Sequence, residues 1–265
     1  MLLKNLIKNL EPKEGSVKIK GISFDSRNTK KGDLFISIKG NQDDGNKYID
    51  EAINNGAKVI IHSRTVKPKG NAIFIRYKDT RYILAKLSAR YFKKKPNNII
   101  AVTGTNGKTT TSKLIYHILK NSGFNVGLAG NIGYSFSTSL VENQFDYYVL
   151  EVSSFQLDHI IDFKPDISLI TNITTDHLDR YENKLENYIN AKFNITSNQK
   201  SSDYFIYSGD CENTINKING LKTEVFTIPF YTGNNISPQK NHLMLQKNQI
   251  KLSINNNENM IDISK

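Results

Sequence analysis

Cysteine is almost missing from this 265-residue chain: its one cysteine, Cys211, can close no intrachain disulfide and build no cysteine metal cluster, which agrees with a reducing compartment. Long apolar runs are missing too. No stretch approaches the roughly 18 consecutive apolar residues that a membrane span needs, and with 38% hydrophobic and 23% charged residues the composition is that of a soluble globular protein. The opening MLLKNLIKNLEPKEG interrupts its apolar residues with Lys4, Lys8 and Glu11 and has no small-residue cleavage site, so it does not read as a secretory signal. The cytoplasm is the expected location. Also lacking is the aromatic and basic interleaving that single-strand binders use. The net charge of +11 comes from lysines scattered among asparagines, with one tight run at Lys93, Lys94 and Lys95. It is expected to form a solvated basic surface that tolerates small anions, with neither nucleic acid nor membrane as partner.

What is present is an alternation of strand-like and helical segments, in a length sufficient for two ordinary domains. Val17 to Phe24 and Asp33 to Gly40 read as strands, Tyr48 to Gly56 as a helix stopped by glycine, Ala57 to Ser63 and Ala72 to Tyr77 as strands, and Asp79 to Phe92 as a helix capped by Asp79. The charged, proline-ended run Lys93 to Pro96 is expected to be a linker, which divides the chain into domains over 1–95 and 96–265. Beyond it Asn98 to Thr103, Tyr147 to Ser154, Asp166 to Ile173 and Asp203 to Ser208 are buried strands of parallel type, Phe124 to Gly130 starts another, and Thr109 to Gly123 is a helix. The expected class is α/β: a small amino-terminal α/β domain, then a mostly parallel, doubly wound central domain. The asparagines 255 to 257 read as an exposed turn.

The segment AVTGTNGKTTT, Ala101 to Thr111, joins a buried strand to a helix, where a phosphate-cradling loop belongs. Gly104 and Gly107 let the backbone turn its N–H groups inward, Lys108 can reach β- and γ-phosphates, Thr109 offers a hydroxyl to Mg²⁺, and the helix start adds its positive dipole end. Thr105, Asn106 and Thr110 complete the loop. The spacing departs from the general Walker A pattern, since Val102 stands where the first glycine would be. ATP or GTP is the expected ligand. Glu151, at the carboxyl end of a buried strand, is placed to hold Mg²⁺ beside that loop. His62, His117, His159 and His242 lack such context and are taken as structural.

The spelling TGTNGKTTT resembles the ATP-binding loop of the Mur ligase family, which adds amino acids to the UDP-muramoyl peptide of peptidoglycan. GNIG (130–133), EVSSFQL (151–157) and TNITTDHLDRY (171–181) follow in the family's order, and SSFQL and DHLDRY are most similar to the D-glutamate-adding member. The resemblance implies an ATP-dependent acid–amino-acid ligase with Lys108, Lys192, His177 and Glu151 as its catalytic set. It also implies two Mg²⁺ sites, in which Thr109 and Glu151 serve one, while His177 and a carbamylated Lys192 serve the other. Asn131, Ser153 and Gln156 would orient phosphate, metal-bound water and the substrate carboxylate. Fifteen residues separate His177 from Lys192, about 22 Å in one unbroken helix. For Lys192 to point at the phosphates its helix must therefore start near Lys184, after a turn at Arg180 to Asn183.

The implied reaction phosphorylates the carboxylate of UDP-N-acetylmuramoyl-L-alanine, and the amine of D-glutamate then attacks the acyl phosphate. The amino-terminal segment GISFDSRNTKKGDLFISIKG resembles a different branch, the UDP-binding domain of ligases that add the third residue or D-alanyl-D-alanine, with Ser26 and Arg27 in its DSR signature. Alternatives are therefore addition of meso-diaminopimelate or L-lysine, or a fragment that binds nucleotide and UDP-muramoyl peptide without turnover. The protein is expected to be a monomer. The segment after Asp203 is expected to stop short of a complete sheet, leaving an incomplete central domain without the amino-acid-binding carboxyl-terminal domain.

Overall fold

The computed structural model describes all residues except 40–43, 94–95, 222, 233–240, 247–248, 255–256 and 263–265. The chain forms two compact units, Met1–Lys94 and Lys95–Lys265. No helix among the described residues is long and apolar enough to cross a membrane.

The first unit is built on a four-stranded, all-parallel sheet in the order β1-β2-β3-β4, from Ile22–Ser23, Leu34–Ile36, Val59–His62 and Ile73–Arg76. Leu34, Ile36, Val59 and Ile61 face one cluster with Ile83 and Leu87, and Phe35 and Ile60 face the other with Ile49 and Ala52, the period-two division that buries both faces of a sheet. Its helices are α1 (Pro12–Gly15), α2 (Ile49–Asn54) and α3 (Thr80–Phe92). Asp79 caps α3 as expected, accepting hydrogen bonds from the N–H groups of Arg81 and Tyr82, and Lys93 ends it in a left-handed conformation. Lys94 and Lys95 of the expected linker lie outside the described residues. The first strand is much shorter than Val17 to Phe24. Lys18 instead forms an isolated antiparallel bridge with Leu2, and Asp25 accepts from the Arg27 N–H to open a 3₁₀ turn that ends the pairing.

The second unit holds a nine-stranded sheet in the order β13-β12-β11-β10-β9-β8-β5-β7-β6. Strands β5 (Asn98–Thr103), β6 (Val126–Gly130), β7 (Tyr147–Glu151), β8 (Ile167–Ile170), β9 (Tyr204–Ser208), β10 (Phe226–Tyr231) and β11 (His242–Gln246) are parallel, while β12 (Gln249–Ile254) and β13 (Asn257–Asp262) return antiparallel. Four strands thus follow Ser208, where the sequence suggested an unfinished sheet. Asn257 lies in β13 rather than in a turn, and Asn255 and Asn256 lie outside the described residues. The helices are α4 (Lys108–Asn121), α5 (Phe136–Glu142), α6 (Ser154–Leu157), α7 (Leu185–Phe193) and α8 (Glu212–Asn219). Tyr148, Leu150, Ile170, Phe205, Tyr188 and Phe193 form the center of the core. The strand order reverses around β5, which pairs with β7 on one side and β8 on the other, and ligands of open α/β sheets bind at the carboxyl end of such a point.

Candidate functional site

The loop after β5 follows from two glycines. Gly104 has φ +148° and a Cβ there would run into Thr171 Oγ1, while Gly107 has φ +79° and forms the N-cap of α4. The Lys108 ammonium folds back over the loop and donates to Gly104 O and Thr105 O, each at 2.9 Å. The first N–H groups of α4 have no intrahelical acceptor and carry the positive end of the helix dipole. Thr105 and Asn106 spend theirs elsewhere: Thr105 N–H donates to Asn172 O at 2.9 Å and Asn106 N–H to Asn172 Oδ1 at 3.0 Å. The donors left for phosphate are therefore those of Gly107, Lys108, Thr109 and Thr110.

Glu151 ends β7 as the register partner of Val102, so the sheet itself delivers it to the loop. Its side chain is 2% exposed. Thr109 Oγ1 donates to Glu151 Oε2 at 2.7 Å, and Asn131 Nδ2 donates to Glu151 Oε1 at 2.9 Å. Both oxygens thus meet neutral donors, and among the described residues no cation pairs with this carboxylate. A buried carboxylate is ordinarily paired or bound to a metal, and hydroxyl plus carboxylate oxygen suits Mg²⁺, which takes one or two carboxylates and completes its shell with water and substrate phosphates. The residues fit that ion. No group of three His, Cys, Asp or Glu side chains among the described residues could hold a metal by itself.

After His177 the chain makes a 3₁₀ turn over Leu178–Tyr181, passes through left-handed Glu182 and Asn183, and starts α7 at Leu185 with Lys184 as N-cap. This break turns Lys192 back toward the loop. Lys192 is 1% exposed, and its Nζ donates to Gly104 O at 2.7 Å, so two ammonium groups share one carbonyl. The ring of Tyr188, one turn earlier, lies 4.5 Å from Lys192 Nζ, and its hydroxyl is 3.3 Å from Thr105 Oγ1. Burial, reinforced by the Lys108 cation and opposed by Asp176, pulls the Lys192 pKa down to about 7.

His177 lies exposed at the same sheet edge, in a left-handed conformation, with Nε2 3.5 Å from Asp176 Oδ2 and its ring 5.4 Å from that of Phe155. Ser153 and Gln156 form a capping box on α6: Ser153 Oγ accepts from Gln156 N–H, and Gln156 Oε1 accepts from Ser153 N–H. In the first unit Ser26 is buried and donates to Glu51 Oε2 at 2.6 Å, while exposed Arg27 forks onto Asp25. Sequence reasoning missed Thr171, Asn172 and Tyr188. The first two stand inside the quoted TNITTDHLDRY segment, and Tyr188 could have been found as the i−4 neighbor of Lys192.

Two family models match the chain, one described as "Mur ligase middle domain" over residues 102–264 and one as "Mur ligase family, catalytic domain" over residues 18–92. A UDP-N-acetylmuramoylalanine–D-glutamate ligase of Bacteroides fragilis is 59% identical over 112 residues, covering 42% of this chain and 25% of the relative. The corresponding ligase of Christiangramia forsetii is 45% identical over 168 residues, 63% of this chain and 37% of its own length. A UDP-N-acetylmuramoyl-L-alanyl-D-glutamate–2,6-diaminopimelate ligase of Clostridium perfringens is 33% identical over 257 residues, 86% of this chain and 53% of the relative. The chain thus spans between a quarter and about half of these relatives. Among solved structures, MurF ligase from Thermotoga maritima in complex with ADP superposes with a TM-score of 0.67 at 22% identity, covering 93% of this chain and 58% of that one. A UDP-N-acetylmuramoyl-L-alanyl-D-glutamate–2,6-diaminopimelate ligase reaches 0.72 at 20% identity, covering 99% and 59%. These two share the fold.

Proposed function

The chain belongs to the Mur ligase family, and from that premise we propose that it carries the nucleotide- and UDP-muramoyl-peptide-binding parts of an ATP-dependent amide ligase of peptidoglycan precursor synthesis. Residues 1–95 are the UDP-substrate domain, with Ser26 and Arg27 toward the UDP-peptide, and residues 96–265 are the ATP-binding domain. The observation that carries the reading is the convergence of Lys108 and Lys192 on Gly104 O beside the Thr109–Glu151 pair.

ATP would transfer its γ-phosphoryl group to the carboxylate of the muramoyl peptide, and the amine of the incoming amino acid would displace phosphate to leave an amide. The N–H groups of residues 107–110 cradle the phosphates, and Lys108 exchanges its two carbonyl acceptors for phosphate oxygens. Thr109 and Glu151 would hold one Mg²⁺. His177 and Lys192, the latter as its carbamate, would hold the second, and Asn131, Ser153 and Gln156 would orient the reacting groups. Bound Mg²⁺ supplies positive charge to the phosphate oxygens as charge moves onto them. Carbamylation joins the neutral lysine amine to CO₂ with loss of a proton. A Lys192 pKa of about 7 leaves roughly half of that amine neutral at neutral pH.

D-glutamate is the amino acid we propose first, on the 59% identity to a D-glutamate ligase. The second reading, addition of diaminopimelate or L-lysine, draws on the longer match to a diaminopimelate ligase and on the DSR segment. The full chain, with ATP, Mg²⁺ and either UDP-N-acetylmuramoyl-L-alanine plus D-glutamate or the D-glutamyl product plus diaminopimelate or lysine, is assayed for ADP release, with calorimetric binding of each UDP-peptide in parallel. ADP release with, or selective binding of, the alanine precursor supports the first reading, preference for the dipeptide precursor supports the second, and no binding of either peptide refutes both.

A further inference from the structure

The segment following β8 is laced to the nucleotide loop. Asn172 Oδ1 accepts from Asn106 N–H at 3.0 Å, Asn172 Nδ2 donates to Asn106 O at 3.1 Å, and Thr171 Oγ1 donates to the same carbonyl at 2.7 Å. Thr174 N–H donates to Thr105 Oγ1 at 3.0 Å. One asparagine amide therefore satisfies both backbone groups of the residue before Gly107.

Peptide planarity makes that pairing consequential. In a trans peptide the C=O and the following N–H point in opposite directions. Holding Asn106 O against Asn172 and Thr171 therefore turns Gly107 N–H the other way, toward the phosphate side. Holding Asn106 N–H against Asn172 likewise turns Thr105 O away from Asn172, where it accepts from Lys108. Asn172 sets two successive peptide planes of the loop, and it is itself braced from behind. Ile173 is fully buried, its N–H donates to Cys211 Sγ at 3.3 Å, and its carbonyl accepts from Asn213 Nδ2 at 2.9 Å.

We propose that Asn172 is a positioning residue for nucleotide binding, which holds the Thr105–Asn106 and Asn106–Gly107 peptides in their phosphate-receiving orientation before nucleotide arrives. This rests on the nucleotide reading given above. Asn172 itself touches no phosphate. It acts through the loop, and the same segment continues to Asp176 and His177, so the loop and the second metal ligand share one support.

The test compares the full chain with Asn172→Ala and Asn172→Asp. It measures Mg²⁺·ADP affinity by calorimetry, amide hydrogen exchange at Thr105 and Asn106 without nucleotide, and the thermal midpoint. Asn172→Ala should weaken Mg²⁺·ADP about tenfold and accelerate exchange at Asn106, while Thr105, whose N–H rests on the Asn172 main-chain carbonyl, keeps its protection, with the midpoint within about 2 °C of the parent. Asn172→Asp keeps an acceptor for Asn106 N–H but sets a carboxylate against Asn106 O, so it should retain exchange protection at Asn106 while still weakening the nucleotide. Should Asn172→Ala not fold, Thr171→Val removes the other donor to Asn106 O and is expected to weaken Mg²⁺·ADP about threefold. Parent-like affinity in the folded variants, or unchanged exchange at Asn106 in Asn172→Ala, overturns the inference while the nucleotide reading stands. Failure of the parent chain itself to bind Mg²⁺·ADP overturns that reading, and this inference with it.

Discussion

Replacing Lys192 by methionine should stabilize the protein, and more so at low pH. The ordinary lysine value of 10.5 falls to about 7 in the folded chain, chiefly through burial and then through the Lys108 cation. At about 1.4 kcal/mol per pH unit, holding a charged Lys192 inside costs about 5 kcal/mol wherever both folded and unfolded chains carry the proton, which is below pH 7. Between about 7 and 10.5 the folded chain has released a proton that the unfolded chain still holds, so the cost shrinks as pH rises, to about 2 kcal/mol at pH 9. Above 10.5 it vanishes. Methionine fills a similar volume and forfeits the hydrogen bond to Gly104 O, about 1 kcal/mol. The variant should therefore gain about 4 kcal/mol at pH 6 and about 1 kcal/mol at pH 9. Urea unfolding in CO₂-free buffer at the two pH values reads this directly. A gap that is equal at both, or wider at pH 9, would refute the assignment of a strained, buried ammonium. Bicarbonate at pH 8 should raise the midpoint of the parent and leave that of Lys192→Met unmoved.

Glu151→Gln keeps the shape of the side chain beside Thr109 and Asn131 but removes its charge. It should cost Mg²⁺·ADP at least tenfold in affinity and leave ADP binding in EDTA unaltered, as calorimetry with and without Mg²⁺ will show. Gly104→Ala places a methyl against Thr171 Oγ1 at a φ of +148°, which should cost about 2–4 kcal/mol and abolish nucleotide binding. A thermal midpoint equal to that of the parent would contradict the close approach of β5 and β8 at that position.

How much of this was legible in the sequence depended on how local the deciding interaction is. Asn98–Thr103 was read to the residue because a continuous apolar run followed by a glycine turn is a local signal. The late start of α7 followed from a distance argument: an unbroken helix would carry Lys192 away from His177, and Glu182 and Asn183 break it with positive φ. The strands after Ser208 were not found. Pro229 lies in β10, a strand paired on both sides, where proline ordinarily argues against a strand, and β13, NENMID, is too polar to alternate clearly, whereas β12, QIKLSI, alternates polar and apolar residues and carries a strand signal of its own. The support of Asn106 by Asn172 spans 66 residues and exists because β8 pairs with β5. That register is a property of the assembled sheet, so the sequence alone assigns the asparagine no role.

The two edges of the nine-stranded sheet bear on how the protein behaves at high concentration. An unpaired strand is a template for another chain to add to. On one side β6 is only five residues long, and its end is covered from within: Gly130 N–H donates to Tyr134 O, and Ala129 bridges Tyr134. On the other, β13 exposes Asn257, Glu258 and Asn259 with a single apolar residue among its described side chains, Met260, and Glu258 is ion-paired with Lys251 on β12 at 2.7 Å. Short and covered, or largely polar and charged, neither edge offers a long apolar ladder among the described residues, so this sheet is poorly suited to seed strand addition.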